Sequence, residues 1–437
     1  MRPTLRLLLP FAAAVLATAL VAFLLISVFE RQQEAKLSYF KVVDIPPREP
    51  NPEIWGRNFP TQYEGWNNTL RTSAFEQYSK YGRYGGSEAY QKLDKHPDFR
   101  RFFAGYPFSV DYRDERGHAR ALEDMLASKR LGDAKPGSCM TCKSPQVPIL
   151  MDQLGVEEFY RTPVKDLVEK HGVKYSISCA DCHDSQTMAL VITRPAFKEA
   201  MASRGIDLAK ATRQEMRSYV CAQCHAEYYF RGPNKTVVFP WKNGLTADDV
   251  DRYYQEIAFA DWTHDETKAP MIKIQHPDFE LYSTGIHARS GVACADCHMP
   301  YTRVGATKVS SHWVNSPLLH VNTSCLTCHR ESEEEMRARV LAIQDTTYGQ
   351  MQHAEVALLA AMDQIKAAMQ AGAPDEKLTE ARTLHRRAQM RWDFVNAENS
   401  MGFHSPQEAA RVLADATDLA RQAELSAYRA TAGVGKQ

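Results

Sequence analysis

Cysteine pairs spaced Cys-x-x-Cys occur five times in this chain, and histidine follows four of them. These are CADCH (Cys179, Cys182, His183), CAQCH (Cys221, Cys224, His225), CADCH (Cys294, Cys297, His298) and CLTCH (Cys325, Cys328, His329). The fifth, CMTCK, places Lys143 after Cys139 and Cys142. Cys-x-x-Cys-His is the attachment pattern of a c-type haem: two thiols add to the porphyrin vinyl groups, and the adjacent imidazole ligates the iron. Zinc ribbons usually separate paired motifs by about 15–20 residues and have no need of histidine after every second cysteine. All ten cysteines lie in the five motifs, which leaves none for a disulfide or a lone nucleophile. Five covalently bound haem c groups are therefore expected.

A lysine amine can ligate iron only when deprotonated, so an iron at Lys143 must hold its effective pKa far below that of a free lysine. The alternative is a degenerate motif whose iron takes histidine from elsewhere, or which carries no haem. Haems that only relay electrons generally have both axial positions filled, so four distal histidines are needed from the eleven outside the motifs. Histidines beside turns and element ends are the candidates: His118 in RGHA, His287 in GIHAR, His312 in SSHWVNSP and His404 before Ser405, with His320 a rival to His312.

The elements that must position these groups read as mainly α, with long C-terminal helices and little β-sheet. Residues 61–330 hold every motif, in short helical patterns broken by Gly and Pro. Residues 331–437 carry long amphipathic stripes within the same domain. The first is Met336, Val340, Ile343, Met351, Leu358, Met362, Ile365 and Met369, ended by Gly372-Ala373-Pro374. The second is Leu378, Ala381, His385, Ala388, Trp392 and Val395, and Ser405-Pro406-Gln407-Glu408 opens a third helix as a capping box. These stripes read either as internal core or as a face against a second subunit, in a homodimer. With so little sheet, large flat haems are expected to fill much of the core.

Lys+Arg equals Asp+Glu at 53 each, so no electrostatic footprint for nucleic acid is present. At the N-terminus, Arg2 and Arg6 precede an uncharged run from Leu7 to Phe29, long enough to span a membrane and longer than a usual signal core. Residues 1–29 are expected to be a membrane anchor or signal, with the N-terminus cytoplasmic and the rest on the periplasmic side. The polar, proline-containing residues 30–60 are expected to form an extended tether rather than a helix.

One Cys-x-x-Cys-Lys followed by four Cys-x-x-Cys-His, with EYYF after the third motif and KIQHP before the fourth, resembles pentahaem cytochrome c nitrite reductase, the ammonium-forming enzyme. The similarity runs from FFAGYPFSVDY and RGHARALED through CAQCHAEYYF, FPW, YYQEIAFADWT, KIQHPDFELYSTGIHARSGVACADCHMP and SSHWVNSP to His404. The resemblance implies a multihaem cytochrome c fold in which Lys143 is the proximal ligand of a catalytic haem with an open distal face. It implies His312, His118, His404 and His287 as distal ligands for the second, third, fourth and fifth motifs. The family's active-site arginine, tyrosine and histidine match Arg130, Tyr228 and His276, with Arg116 and Arg120 the other arginines near the ASKRLGD stretch. Calcium is implied at Glu227 and Gln275 through side-chain oxygens, and at Tyr228 and Lys273 through backbone carbonyls. The implied reaction is the six-electron reduction of nitrite, with electrons from a membrane quinol-oxidising or a soluble cytochrome. A non-catalytic electron carrier, or a reductase acting mainly on hydroxylamine or sulfite, is the competing reading.

Overall fold

The computed structural model describes residues 3–37, 41–71, 91–113, 116–305 and 307–432; Arg2 lies outside these. Helix α1 spans Pro3–Leu37. Its segment Pro10–Gln33, 24 residues, is long and apolar enough to cross a membrane and is not buried by the rest of the chain.

The expected extended tether over 30–60 is corrected at both ends. Helix α1 continues through Leu37, and a second helix, α2, forms over Pro52–Asn58. The local cause is a cap: Asn51 Oδ1 accepts the Glu53 amide at 3.0 Å, and Pro52 supplies the φ of a first helical residue. The tertiary cause is Trp55, 1 % exposed, which packs with Ile45 and Ala180 while its Nε1 donates to the Glu49 carbonyl at 2.8 Å. Asn58 completes the attachment, donating to the Val43 carbonyl and accepting the Val42 and Val43 amides. Residues 41–58 are thus docked beside the second Cys-x-x-Cys motif.

The described sheet is limited to three antiparallel hairpins. They pair β1 (Tyr229–Arg231) with β2 (Thr236–Val238), β3 (Trp262–Thr263) with β4 (Pro270–Met271), and β5 (Tyr301–Val304) with β6 (Thr307–Ser310). The motifs sit on short helices. In both CADCH motifs the aspartate caps its own helix, Asp181 accepting the Ser178 amide at 2.8 Å and Asp296 the Ala293 amide at 2.7 Å. Gly137, just before the first motif, has no room for a Cβ because it would collide with the Phe159 carbonyl.

Three long helices follow: α3 (Glu333–Gln370), α4 (Asp375–Asn396) and α5 (Pro406–Ala432). A capping box opens α3, with Glu335 Oε2 accepting the Ser332 amide at 2.8 Å. At 38 residues α3 is about 57 Å long. Gly372 takes φ +81° to end it, as an L side chain would resist doing. Of the stripe on α3, Ile343 and Met369 are half-buried and the rest buried; every stripe residue of α4 is fully buried. These faces are covered by the chain itself. Leu358 and Met362 of α3, Trp392 and Phe394 of α4, and Val412 and Leu413 of α5 share one core with Phe99, Phe102 and Phe103. Trp392 lies 4.8 Å from the Phe102 ring and 5.1 Å from the Phe99 ring.

Helix α4 is tied to the segment before the fourth motif by a buried ion pair. Lys273 Nζ lies 2.9 Å from Asp393 Oδ2, surrounded by the rings of Phe103, Phe108 and Tyr112 at 4.9–5.2 Å. Asp393 Oδ2 also accepts the Ile274 amide at 3.0 Å. Asp393→Asn would leave the ammonium without its counter-charge inside that aromatic shell, at a cost of about 3–5 kcal/mol. The thermal midpoint of the purified variant should fall well below that of the parent; an unchanged midpoint would show that the pair adds nothing.

Candidate active site

Each motif histidine faces one of the four candidate partners. Ring centroids lie 6.1 Å apart for His183 and His312, 6.2 Å for His225 and His118, 6.2 Å for His298 and His404, and 6.3 Å for His329 and His287. Two metal–imidazole bonds of about 2.0 Å, with about 1.1 Å from each nitrogen to its ring centre, would put such centroids about 6.2 Å apart. The observed spacing fits an iron between each pair. Backbone carbonyls receive several of the outward nitrogens: His183 Nδ1 at 3.0 Å from the Met188 oxygen, His298 at 2.9 Å from Asn315 and His312 at 2.9 Å from Ser310. That leaves Nε2 of each for the gap. Burial pushes the His298 and His312 imidazoles down to about 4. His320 lies against Trp313 at 5.2 Å and close to the Asn315 amide, whereas His312 faces His183. None of the ten cysteines is in a disulfide, so all ten thiols are available for thioether formation.

Close packing places one partner. Gly285, which precedes the turn bearing His287, abuts the His404 carbonyl so tightly that a Cβ would not fit. His404 Nδ1 is 2.5 Å from Glu398 Oε1; burial pulls this imidazole down, but Glu398 outweighs it and raises it to about 9.

The first motif is held from beneath by Arg194, which is 0 % exposed. Its Nε donates to the Thr141 carbonyl at 2.7 Å and its Nη2 to the Ser144 carbonyl at 3.1 Å, bracketing Lys143, while Nη2 also reaches Asp181 of the second motif at 2.5 Å. Gln223, inside the third motif, accepts the Arg194 amide and donates to the Asp181 carbonyl at 3.0 Å. One guanidinium and one carboxamide therefore fix three motifs relative to one another. Within this frame the Lys143 ammonium makes no hydrogen bond or ion pair with any described residue, and its charge acts on the thiols of Cys139 and Cys142.

Arg130 and Tyr228 come into the same neighbourhood. Burial pushes the Tyr106 hydroxyl well up, Asp261 and Tyr228 add to that, and Arg130 opposes it, with Cys139 also within electrostatic reach. Arg130 lies 4.2 Å above the Phe108 ring and donates from Nε to Ser128 Oγ at 3.1 Å, with no carboxylate partner among the described residues. Arg116 and Arg120 are engaged elsewhere, Arg116 by Asp124 and Glu123, and Arg120 by Glu123 and the Leu70 carbonyl. That difference separates Arg130 from its sequence neighbours.

His276 lies 4.6 Å, ring to ring, from His225. Asp278 sits between them, its Oδ2 3.1 Å from His225 Nδ1 and 3.3 Å from His276 Nδ1. Burial pushes the Asp278 carboxyl up, but His276 and His225 together hold it well below the usual carboxylate range. Asp278, Arg194 and Gln223 were absent from the candidates read off the sequence. Asp278 does lie within the quoted stretch KIQHPDF, two residues past His276, and Gln223 stands inside CAQCH.

Three of the four residues considered for a hard cation meet. Gln275 donates its amide to Glu227 Oε2 at 2.6 Å and its Nε2 to the Lys273 carbonyl at 3.2 Å. Glu227 and Glu280 are both fully buried. Glu280 Oε1 accepts the Glu227 amide at 2.8 Å and Trp241 Nε1 at 2.5 Å, while its Oε2 has no partner. Burial pushes Glu227 well up, and the Lys273 ammonium is committed to Asp393. A water-excluded acid beside a carbonyl and a carboxamide is the donor set that a calcium-like ion takes.

The cytochrome c552 family profile matches residues 51–437. Cytochrome c-552 of Porphyromonas gingivalis is 41 % identical over 434 residues, covering 97 % of this chain and 86 % of the relative. Cytochrome c-552 of Bacteroides fragilis is 42 % identical over 434 residues with the same coverage. Among solved structures, the catalytic subunit of cytochrome c nitrite reductase from Desulfovibrio desulfuricans, described with two calcium sites, superposes with a TM-score of 0.83 at 32 % identity. That alignment covers 91 % of this chain and 90 % of the other.

Glu280 yields a pH prediction. Burial pushes its carboxyl up to about 8 from 4.5. A carboxyl raised on folding binds its proton more tightly in the folded state, so its stabilising contribution is complete below the unfolded value and is lost as pH rises toward 8. Glu280→Gln keeps the oxygen acceptor and removes the ionisation. The thermal midpoint of the variant should match the parent near pH 4.5 and gain on it steadily until about pH 8. A constant difference across that range would refute the assignment.

Proposed function

We propose, since this chain belongs to the cytochrome c552 family of multihaem cytochromes, that it reduces nitrite to ammonium at the first motif and relays electrons there through the other four. The observation that carries this reading is the contrast among the five motifs. Four place an imidazole opposite a second imidazole at the spacing of a doubly ligated iron, while the first offers a lysine amine with no partner among the described residues. Cys139, Cys142 and Lys143 would hold a haem, which would supply the electrons for reduction of nitrite. The chain's own groups do the rest. Reducing nitrite to ammonium takes six electrons and eight protons, so the pocket must hold an anion and deliver protons repeatedly. Arg130, free of any described carboxylate, is the group for the substrate oxygens. His276, oriented by Asp278, donates protons as N–O bonds break, and Tyr228 is a second donor. Calcium at Glu227, Gln275 and the Lys273 and Tyr228 carbonyls would neutralise a buried acid beside these groups and fix the backbone that carries His276.

In this reading the chain lies on the periplasmic side of the cytoplasmic membrane, anchored by α1 or free in the periplasm where that segment is cleaved, and receives electrons from a quinol-oxidising membrane cytochrome or a soluble one. A homodimer through the outer faces of the long helices, where Val356, Leu425 and Tyr428 stay exposed, completes the proposal.

The holoenzyme with reduced viologen should convert nitrite to ammonium, and its oxidised spectrum should contain one high-spin haem. A spectrum that is low-spin throughout would leave only an electron carrier. Turnover of hydroxylamine and sulfite in the same assay ranks the substrates. His276→Ala should lower nitrite turnover by about 10²–10⁴-fold with all haems still attached; near-parent turnover would remove His276 from proton delivery. Glu227→Gln should lose calcium, read by metal analysis of the dialysed protein, and retained calcium would place the ion elsewhere.

A further inference from the structure

We propose that Asp278 is a positioning residue whose single oxygen Oδ2 holds both the substrate-side His276 and the relay-side His225, so that the two are coupled through one shared atom. This rests on the reading of His225 as an iron ligand. The oxygen is 3.1 Å from His225 Nδ1 and 3.3 Å from His276 Nδ1. The Asp278 side chain is 10 % exposed and is held in place, because Oδ1 accepts the Asn399 amide at 2.8 Å and Asn399 Nδ2 approaches Oδ2 at 3.4 Å. The backbone reinforces the arrangement: the Asp278 amide donates to the His276 carbonyl at 2.9 Å and the Phe279 amide to the His225 carbonyl at 3.1 Å.

The consequence follows from what the other motif histidines lack. His183 and His298 turn Nδ1 toward neutral backbone carbonyls, and His329 is 3.8 Å from a half-exposed Glu331. Among the described residues, only His225 of the four motif histidines meets a buried carboxylate at hydrogen-bond distance. A carboxylate partner makes an imidazole a stronger donor, which favours the oxidised metal and lowers its potential. His276 draws on the same oxygen, so whatever tightens its hold on Asp278 loosens that of His225. The group proposed to deliver protons and the iron proposed to deliver electrons are thereby made sensitive to each other.

The test is a spectroelectrochemical titration of the holoenzyme and two variants. Asp278→Asn keeps an oxygen acceptor but removes the charge, and the low-spin midpoint at His225 should move upward further than any other, including the one at His404, whose ring nitrogen lies within 4.8 Å of an Asp278 carboxylate oxygen. Nitrite kcat should fall more than KM changes, because His276 loses its alignment. His276→Gln takes the competing imidazole off Oδ2, and the same midpoint should move downward. Unmoved midpoints in both variants, or movement of different haems, would overturn the inference and leave Asp278 with a packing role. If Asp278→Asn does not accumulate, the His276→Gln arm decides by itself. Peptide mass mapping of haem on Cys221 and Cys224 in the parent protein checks the underlying ligand reading separately: haem absent there overturns that reading, whereas haem present with unmoved midpoints overturns only the coupling.

Discussion

A guanidinium with no access to water sets the geometry on which the rest depends. Arg194 satisfies carbonyls on both sides of Lys143 and the carboxylate of Asp181, and Gln223 closes the circuit to the third motif. A buried arginine is tolerable only when its donors are met, and here the acceptors come from two motifs while the amide contact comes from a third. Lysine could not replace it, because a single ammonium cannot present the planar fork that reaches three separate oxygens. The first motif is tied to the second and third for this reason, and a loop so held suits the proposal that the Lys143 amine stays beneath a metal.

The same economy appears in the histidines. An imidazole whose Nδ1 is fixed by a carbonyl has its tautomer and ring plane decided before any metal arrives. His183, His298 and His312 are so fixed. The paired rings then stand about as far apart as a doubly ligated metal requires. Helical packing supplies the outer wall: α3, α4 and α5 enclose Trp392 and its phenylalanine neighbours, and Asp393 carries the wall's attachment to Lys273.

Much of this was legible in the sequence where the signal is periodic or covalent. The Cys-x-x-Cys spacing names its own chemistry, and the stripes on α3 and α4 repeat often enough that a 3.6-residue period stands out. The four partner histidines stood beside turns, and all four lie opposite motif histidines. What escaped reading has a physical pattern. Helix α2 is 7 residues long and has one dominant buried anchor, Trp55, so proline and polar neighbours masked it. Arg194 in VITRPAFK looks like a solvated charge, since two of its acceptors are backbone carbonyls about fifty residues away and carry no residue-type signature. Glu280 and Asp393 likewise read as surface acids until their partners, Trp241 and Lys273, are folded against them.

The segment from Lys273 to Asp278 shows why such residues cannot be understood singly. Lys273 sends its ammonium to Asp393 on α4 and its carbonyl to Gln275; Gln275 sends its amide to Glu227; His276 and Asp278 meet over His225. Six consecutive residues thus touch the helical wall, the proposed cation set, the proposed proton donor and the proposed relay ligand. Pro277 removes one amide from the segment, and its fixed φ leads directly into the helix that begins at Asp278. A displacement at any of these positions would be felt at the others, because the interior around them is close-packed and its polar atoms are already committed. The segment is also short: six residues carry the chain from the buried ion pair that anchors one end to the shared carboxylate oxygen at the other.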